Sequence, residues 1–427
     1  MLTSINQRRL ALLVATATAL ITGHLFAVET SRLRLFPSPP QESQTENLWK
    51  PKELFNPPAT NKVAPQVFAA KDGISPLFYD GALYRGKPTR VFAWLGVPEG
   101  PGPFPGIVLV HGGGGTAYRD WVKTWMARGY AAIAMDTNGE IPLTEDGMRV
   151  KSKTHEFAGP SAKGNGFDVS DQPPGDQWVY HSVVAVIKAH TLLRTTPRVD
   201  PDRIGITGIS WGGVMTEIAA SVDTRFKCAA PIYGCGFLGE DSLWLEKNFQ
   251  NEIAPERVEQ WLRLWDPSQY VTRIHIPVLF CDGTNDKFFR LGSLQKTIQL
   301  VPGPVTRSLR VRMAHGHPPH SDPPEVTVFM NSFLKGGHSL PAIGEQGRDG
   351  DIAWVKFASA DDVADASLVY TTDGGRWLPR NWLTAPAKLG PGRVTGLIPK
   401  DATAYYFNLT ATAGANVSSP LVITQEL

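Results

Sequence analysis

The chain has 427 residues, 42% of them hydrophobic, 19% charged, and a formal net charge of +2. That length allows two domains and a large core. The near balance of charge excludes a protein built to bind a polyanion, and no nucleic-acid partner is expected.

Residues 1–27 read as a secretory signal peptide: Arg8 and Arg9 form a charged start, residues 10–21 are apolar and acid-free, and Leu25-Phe26-Ala27 offers a cleavage site. The apolar run is short for a membrane span and is broken by Gly23 and His24. A secreted or periplasmic protein is expected, without stable membrane insertion once the signal is removed. Residues 28–75 are rich in Pro, Ser and Gln without a period, and read as an N-terminal arm that wraps or is disordered.

From residue 77 the pattern becomes regular. Residues 77–84 and 90–96 read as two strands joined by Arg85-Gly86-Lys87-Pro88. Residues 105–110 are a buried strand that runs into His111-Gly112-Gly113-Gly114-Gly115. A helix is predicted over 118–128, a strand over 131–135, and a polar Gly/Pro-rich insertion over 137–175. An amphipathic helix over 177–194 leads into the apolar strand 204–209. A helix over 214–222 and a strand over 228–233 follow. The insertion 234–270 contains a helix, because Val258, Trp261, Leu262 and Trp265 recur at helical spacing. The unit closes with a strand over 277–281, a helix over 291–300, a strand over 308–313 and a last helix through Val326, Phe329, Met330 and Phe333, stopped by Gly336-Gly337. Apolar strands alternating with helices predict an α/β fold with a mostly parallel central sheet flanked by helices. Beyond residue 350 only strands and turns are predicted. Ala353, Val355 and Phe357 alternate, as do Tyr405, Phe407 and Leu409, so residues 350–427 read as a small all-β, sandwich-like module. Trp377 and Trp382 look exposed there, and docking on the first unit is the favoured role of the module. The three cysteines, Cys228, Cys235 and Cys281, make no disulfide framework and read best as buried thiols. No Cys/His spacing suggests zinc, and neither metal nor cofactor is expected.

The chemistry centres on Gly208-Ile-Ser210-Trp-Gly212 between the strand 204–209 and the helix that follows. A serine on a sharp strand-to-helix turn is a nucleophile elbow. Such a serine needs a histidine base and an acid to orient it, and in this topology the chain order is Ser, acid, His. Asp286 and His315 each follow a later strand, in Cys-Asp-Gly-Thr-Asn-Asp and Met-Ala-His-Gly-His. Asp282 reads as structural. His317 competes with His315 as the base, and otherwise lines the pocket. The oxyanion needs backbone donors. One is the amide of Trp211, and the other belongs to Gly113 or Gly114. Trp244 and Tyr233 are candidate substrate contacts; Trp261 and Trp265 fit the core at least as well.

His-Gly-Gly-Gly, Gly-Ile-Ser-Trp-Gly-Gly, Gly-Thr-Asn-Asp and Ala-His-Gly-His resemble the motifs of the α/β-hydrolase superfamily. Within it the chain resembles the exported acetyl xylan esterase and dienelactone hydrolase-like group. The likeness spans residues 75–337, within a catalytic domain expected over 76–340. It implies a metal-free serine carboxylic ester hydrolase, acting through an acyl-enzyme on short-chain acyl esters with acetylated carbohydrate as one candidate. Ser at position 210, where true dienelactone hydrolases have Cys, counts against that activity. Two alternatives stand beside it: a peptidase or amidase on the same fold, and a non-catalytic carbohydrate-binding protein. Small-molecule or carbohydrate esters are the expected partners; the oligomeric state is open.

Overall fold

The computed structural model describes residues 47–49, 52–63, 68–145, 151–162, 167, 169–249, 252–316, 322–359, 361, 363–411 and 414–424. The segment 1–27, expected as a signal peptide, lies outside the described residues, as do His317 and His320.

A nine-stranded sheet organises the first unit. Its strands are β1 (Thr60–Lys62), β2 (Ile74–Asp80), β3 (Arg90–Gly96), β4 (Phe104–Val110), β5 (Ala131–Met135), β8 (Val199–Ile209), β9 (Ala229–Ile232), β10 (Val278–Gly283) and β11 (Val305–Arg310). The spatial order is β1-β2-β3-β5-β4-β8-β9-β10-β11. The strands from β5 to β11 run parallel, and β1 to β3 add an antiparallel edge. A short hairpin, β6 (Glu140–Pro142) and β7 (Ser152–Thr154), stands apart from this sheet. Ile107 to Val110 and Ala131 to Met135 are buried without alternation, because helices cover both faces of the centre.

The helices are α1 (Arg119–Ala127), α2 (Trp178–Arg194), α3 (Trp211–Val222), α4 (Pro255–Trp265), α5 (Leu291–Leu300) and α6 (Pro324–Leu334). The pattern predicts α2 as amphipathic, yet it is buried on nearly every side. The N-terminal arm explains this. Trp49 stacks on Tyr180 at 5.4 Å and meets Trp265 and Tyr270 edge-on, while the turn Lys52–Phe55 packs along the same helix. Within its described part the arm therefore wraps, and β1 extends the sheet.

Several boundaries differ from the sequence reading, the module among them, which starts with β12 at Ala342 rather than at 350; two of the differences have a clear local cause. The first strand spans Ile74–Asp80 rather than 77–84; Tyr84 and Lys87 close the turn instead, with positive φ at Arg85 and Gly86. The last parallel strand ends at Arg310 rather than Met313, because Arg312 takes φ 51° and breaks the extended backbone.

The C-terminal module consists of two antiparallel sheets. One contains β12 (Ala342–Asp349), β13 (Ile352–Ala358), β17 (Arg393–Leu397) and β16 (Lys388–Gly390). The other contains β15 (Leu383–Pro386), β14 (Val363–Thr371), β18 (Ala404–Ala411), β19 (Asn416–Ser418) and β20 (Val422–Ile423). Between the sheets lie Val355, Leu368, Val394, Tyr405, Phe407 and Leu409. The opposite face of β14 and β18 is also buried: Val369, Ala404 and Tyr406 join the core of the first unit. Side chains of the module take the backbone N–H and C=O of Leu309 in β11. Ser418 Oγ accepts the Leu309 N–H at 2.8 Å, and Tyr406 Oη and Asn408 Nδ2 donate to the Leu309 carbonyl at 3.2 and 3.1 Å. Trp382 is fully buried and Trp377 lies over Gly292 of α5, so the two tryptophans that look exposed in the sequence are packing residues.

The docked face predicts a stability effect. A chain ended after Gly337 exposes β11 and the apolar surface beneath Tyr406, at a cost of roughly 25 cal/mol per Å² of uncovered apolar area. Thermal unfolding should show a lower Tm than the full chain; an unchanged Tm would show that docking contributes nothing.

Candidate active site

Ser210 caps α3 with φ 59° and ψ −120°, a conformation few side chains adopt. Close backbone contacts fix it there. A Cβ at Gly208 would meet the Gly212 carbonyl oxygen at 2.1 Å, and one at Gly212 would meet that of Val110 at 2.1 Å. Only glycine fits either place. The Ser210 N–H donates to Ile232 O at 2.8 Å, which ties the turn to β9. The amide of Trp211 opens the helix and has no partner within it, since the first turn leaves its N–H groups free.

The glycine loop after β4 lies beside this turn. A Cβ at Gly112 would stand 3.8 Å from Ser210 Oγ, and one at Gly113 would stand 2.6 Å from the Trp211 ring. His111 is structural. Its Nε2 accepts the Thr137 N–H at 2.9 Å, so the proton sits on Nδ1 and points to Gly112 O at 2.7 Å. Asn138 Nδ2 donates to the carbonyls of Gly113 and Gly115 at 3.0 and 3.2 Å. A trans peptide points its C=O and N–H in opposite directions, so anchoring the Gly113 carbonyl turns the Gly114 amide away from Asn138. Asp136 Oδ2 in turn accepts the N–H groups of Asn138 and Glu140. None of Asp136, Thr137 and Asn138 was singled out from the sequence; the available signal was a polar triplet directly after a fully apolar strand.

Asp286 and His315 meet. His315 Nδ1 donates to Asp286 Oδ2 at 2.5 Å. The other carboxylate oxygen accepts the N–H groups of Phe288 and Phe289 at 2.7 and 2.9 Å. Asp282 is different. It is wholly buried, and burial together with the neighbouring Asp286 pushes its carboxyl well above the usual carboxylate range. Its Oδ1 accepts the Gly283 N–H at 2.7 Å, so it braces the end of β10.

The histidine ring is held between aromatic rings, Tyr233 and Phe288, each centred 4.5 Å away. Tyr233, expected to touch substrate, is buried with φ 63°, and its hydroxyl donates to the Ala314 carbonyl at 2.9 Å. It supports the histidine loop. Trp244 is buried in a cluster with Trp211, Phe288 and Phe289. Trp261 and Trp265 are core residues; Trp265 Nε1 donates to Gln177 Oε1 at 2.7 Å. The three cysteines are free and buried, and burial raises the pKa of each thiol, which makes them inert. Among the described residues no cluster of His, Cys, Asp and Glu could hold a metal ion, and no helix is long and apolar enough to cross a membrane.

The model of the acetyl xylan esterase family matches residues 76–282. The solved acetyl xylan esterase from Paenibacillus sp. R4 superposes with a TM-score of 0.54 at 21% identity, covering 71% of this chain and 99% of that one. Acetyl xylan esterase 1 from Thermoanaerobacterium sp. JW/SL YS485 gives a TM-score of 0.51 at 16% identity, covering 66% of this chain and 90% of that one. The chain has the α/β-hydrolase fold. It resembles the acetyl xylan esterases over the segment that carries the glycine loop, Ser210 and most of β10. A curated relative, the uncharacterized peptidase YuxL of Bacillus subtilis (strain 168), is 25% identical over 225 residues, which are 48% of this chain. The chain spans only 29% of that relative's length.

Proposed function

We propose that the protein is an exported serine carboxylic ester hydrolase acting on short-chain acyl esters, with acetylated carbohydrate as the substrate class. The catalytic unit, expected over residues 76–340, also takes in β1 and β2 from Thr60, and the module, expected over 350–427, starts with β12 at Ala342. The observation that carries the reading is the 2.5 Å bond from His315 Nδ1 to a buried Asp286, in the same unit as a serine on a strained elbow. That bond fixes the tautomer and leaves Nε2 free to accept a proton. Ser210 Oγ attacks the ester carbonyl as His315 takes its proton. The tetrahedral oxyanion is held by the Trp211 amide and by the glycine loop, from Gly114 or Gly113, in a site needing no reorganisation. His315 then hands the proton to the departing alcohol, and water resolves the acyl-enzyme by the same steps in reverse. Asp286 keeps the ring oriented and stabilises the imidazolium.

The family match favours an ester over an amide. The peptidase relative keeps the amide reading in view, and an acyl-anilide assayed beside its matched ester separates the two. With Ser210→Ala or His315→Ala, kcat should fall roughly 10⁴-fold or more with folding intact, as for members of such triads. His317→Ala should lose far less. Wild-type protein should label with a fluorophosphonate at Ser210. The reverse ranking of the histidines would move the base to His317.

Trp211 and Trp244 pack tightly with Phe167, Phe288 and Phe289 near the nucleophile, which leaves little room for a long acyl chain. Acetyl and propionyl esters should exceed octanoyl esters in kcat/KM. A steady rise toward octanoyl would rule out the deacetylase reading.

Export rests on the pattern of residues 1–27. N-terminal sequencing of protein from its native host should begin near Val28, whereas intact Met1 on cytoplasmic protein would refute it.

A further inference from the structure

The loops that carry Asp286 and His315 are joined to each other, and to the C-terminal module, through one asparagine and one threonine. Asn285 Nδ2 donates to the carbonyls of Leu378 and Arg380 at 2.9 and 2.8 Å. Its Oδ1 accepts the Thr284 hydroxyl at 2.9 Å, and that Oγ1 in turn accepts the Arg312 N–H at 3.0 Å. Arg312 is the residue whose φ of 51° ends β11 and turns the chain toward His315. Its side chain donates to Asn381 Oδ1 of the module. The two loops also touch through backbone, since a Cβ at Gly283 would stand 2.5 Å from Met313 O. One run of hydrogen bonds thus leads from the module, through the residue before Asp286, to the bend before His315.

The module side of this link is stiff. The Arg380 guanidinium lies 3.8 Å from the centre of the Trp377 ring, and its Nη2 donates to Gly375 O at 2.6 Å. Trp377 stacks on the buried Trp382 with ring centres 6.3 Å apart. Asp373 Oδ2 accepts the Asn381 N–H at 2.6 Å, which closes the loop on itself, and Thr403 Oγ1 donates to the Asp373 carbonyl at 2.6 Å. The two carbonyls that hold Asn285 therefore stand on a braced support. The Asn285 amide has both donors and its oxygen in use; turned over, it would set that oxygen against two carbonyl oxygens, so its orientation is fixed.

We propose that the C-terminal module serves catalysis by setting the Asp286–His315 pair, with Asn285 and Thr284 as positioning residues. The inference rests on the ester-hydrolase reading. Neither residue meets the substrate; each acts through the backbone of its loop on where the carboxylate and the ring stand. The pair needs such support because both members lie on loops beyond the ends of β10 and β11, whereas Ser210 is fixed by backbone contacts inside the sheet. A triad works only while its members keep their mutual geometry, so the module is part of the machinery and not a passive cover.

The test uses the full chain and 4-nitrophenyl acetate. Asn285→Ala should lower kcat about 10²-fold with KM little changed, the size of loss that a small misplacement causes. The loss stays below that of a triad deletion because Asp286 keeps the Phe288 and Phe289 N–H groups. In proton NMR the short His315–Asp286 bond should give a far-downfield Nδ1 proton in wild type, and Asn285→Ala should shift or lose it. Thr284→Val should act in the same direction, and Thr284→Ser, which keeps the hydroxyl, should restore most of kcat. Ser418→Ala is the control for docking alone: it removes the acceptor of the Leu309 N–H, so Tm should fall while kcat and the downfield proton stay as in wild type. If Asn285→Ala lowers Tm but keeps kcat and the downfield proton, the module only docks and the positioning role is wrong. Should Asn285→Ala fail to fold, Thr284→Val against Thr284→Ser decides by the same two readouts. If Ser210→Ala is inactive and Asn285→Ala is as active as wild type, the hydrolase reading stands and only this inference falls. If wild type and Ser210→Ala release 4-nitrophenol equally, the hydrolase reading fails and the inference with it.

Discussion

The backbone at Ser210 is the constraint on which the site depends. Its conformation costs about 1–3 kcal/mol and persists only where the surroundings leave no alternative. Those surroundings are the ends of β4, β8 and β9. The start of α3 presses against the Val110 carbonyl, and the Ser210 N–H is tied to Ile232. The strain is therefore borne by the most deeply buried part of the sheet. The same crowding brings the loop after β4 alongside the serine, so two of the elements that a serine hydrolase needs are set by one packing event.

The histidine and its acid are held in another way. They stand on loops that project beyond β10 and β11, and the C-terminal module grips both. Asn285, next to Asp286, donates through Nδ2 to the carbonyls of Leu378 and Arg380 at 2.9 and 2.8 Å. Arg312, three residues before His315, bonds to Asn381. Arg376 of the module pairs with Glu246, and Arg290 at the head of α5 pairs with Asp241 and Glu246. Ser210 is positioned by the interior of the sheet, while His315 and Asp286 are braced from outside by a unit that contains neither.

Much of this was legible in the sequence because the centre of the molecule obeys simple rules. The apolar runs at β4, β5 and β8, and the glycines around Ser210, each have one physical reading. Asp286 was distinguishable from Asp282 by its distance past the strand. What stayed hidden follows from burial on two sides. Along β18 the alternating Tyr405, Phe407 and Leu409 announce one apolar face, but Ala404 and Tyr406 between them are buried as well, against the other unit. A period of two marks a strand; it does not reveal a second partner. In the same way α2 read as amphipathic because the arm that covers its outer face has no period of its own. Tyr233 and Trp244 were read as pocket residues from composition and position, yet their burial gives them supporting places behind the surface.

The way the module meets β11 bears on how separate molecules behave toward one another. A parallel sheet normally ends in a strand whose outer N–H and C=O groups are open, a template on which a strand of another chain can add. Here the template is interrupted near its end by side chains rather than by another strand: the hydroxyls of Ser418 and Tyr406 and the amide of Asn408 take the outward groups of Leu309. Side chains do not themselves present a new ladder, so the sheet stops instead of passing its open edge to a tenth strand. At this border the module acts as a terminator of β-pairing, guarding the side of the nine-stranded sheet from which the His315 loop emerges.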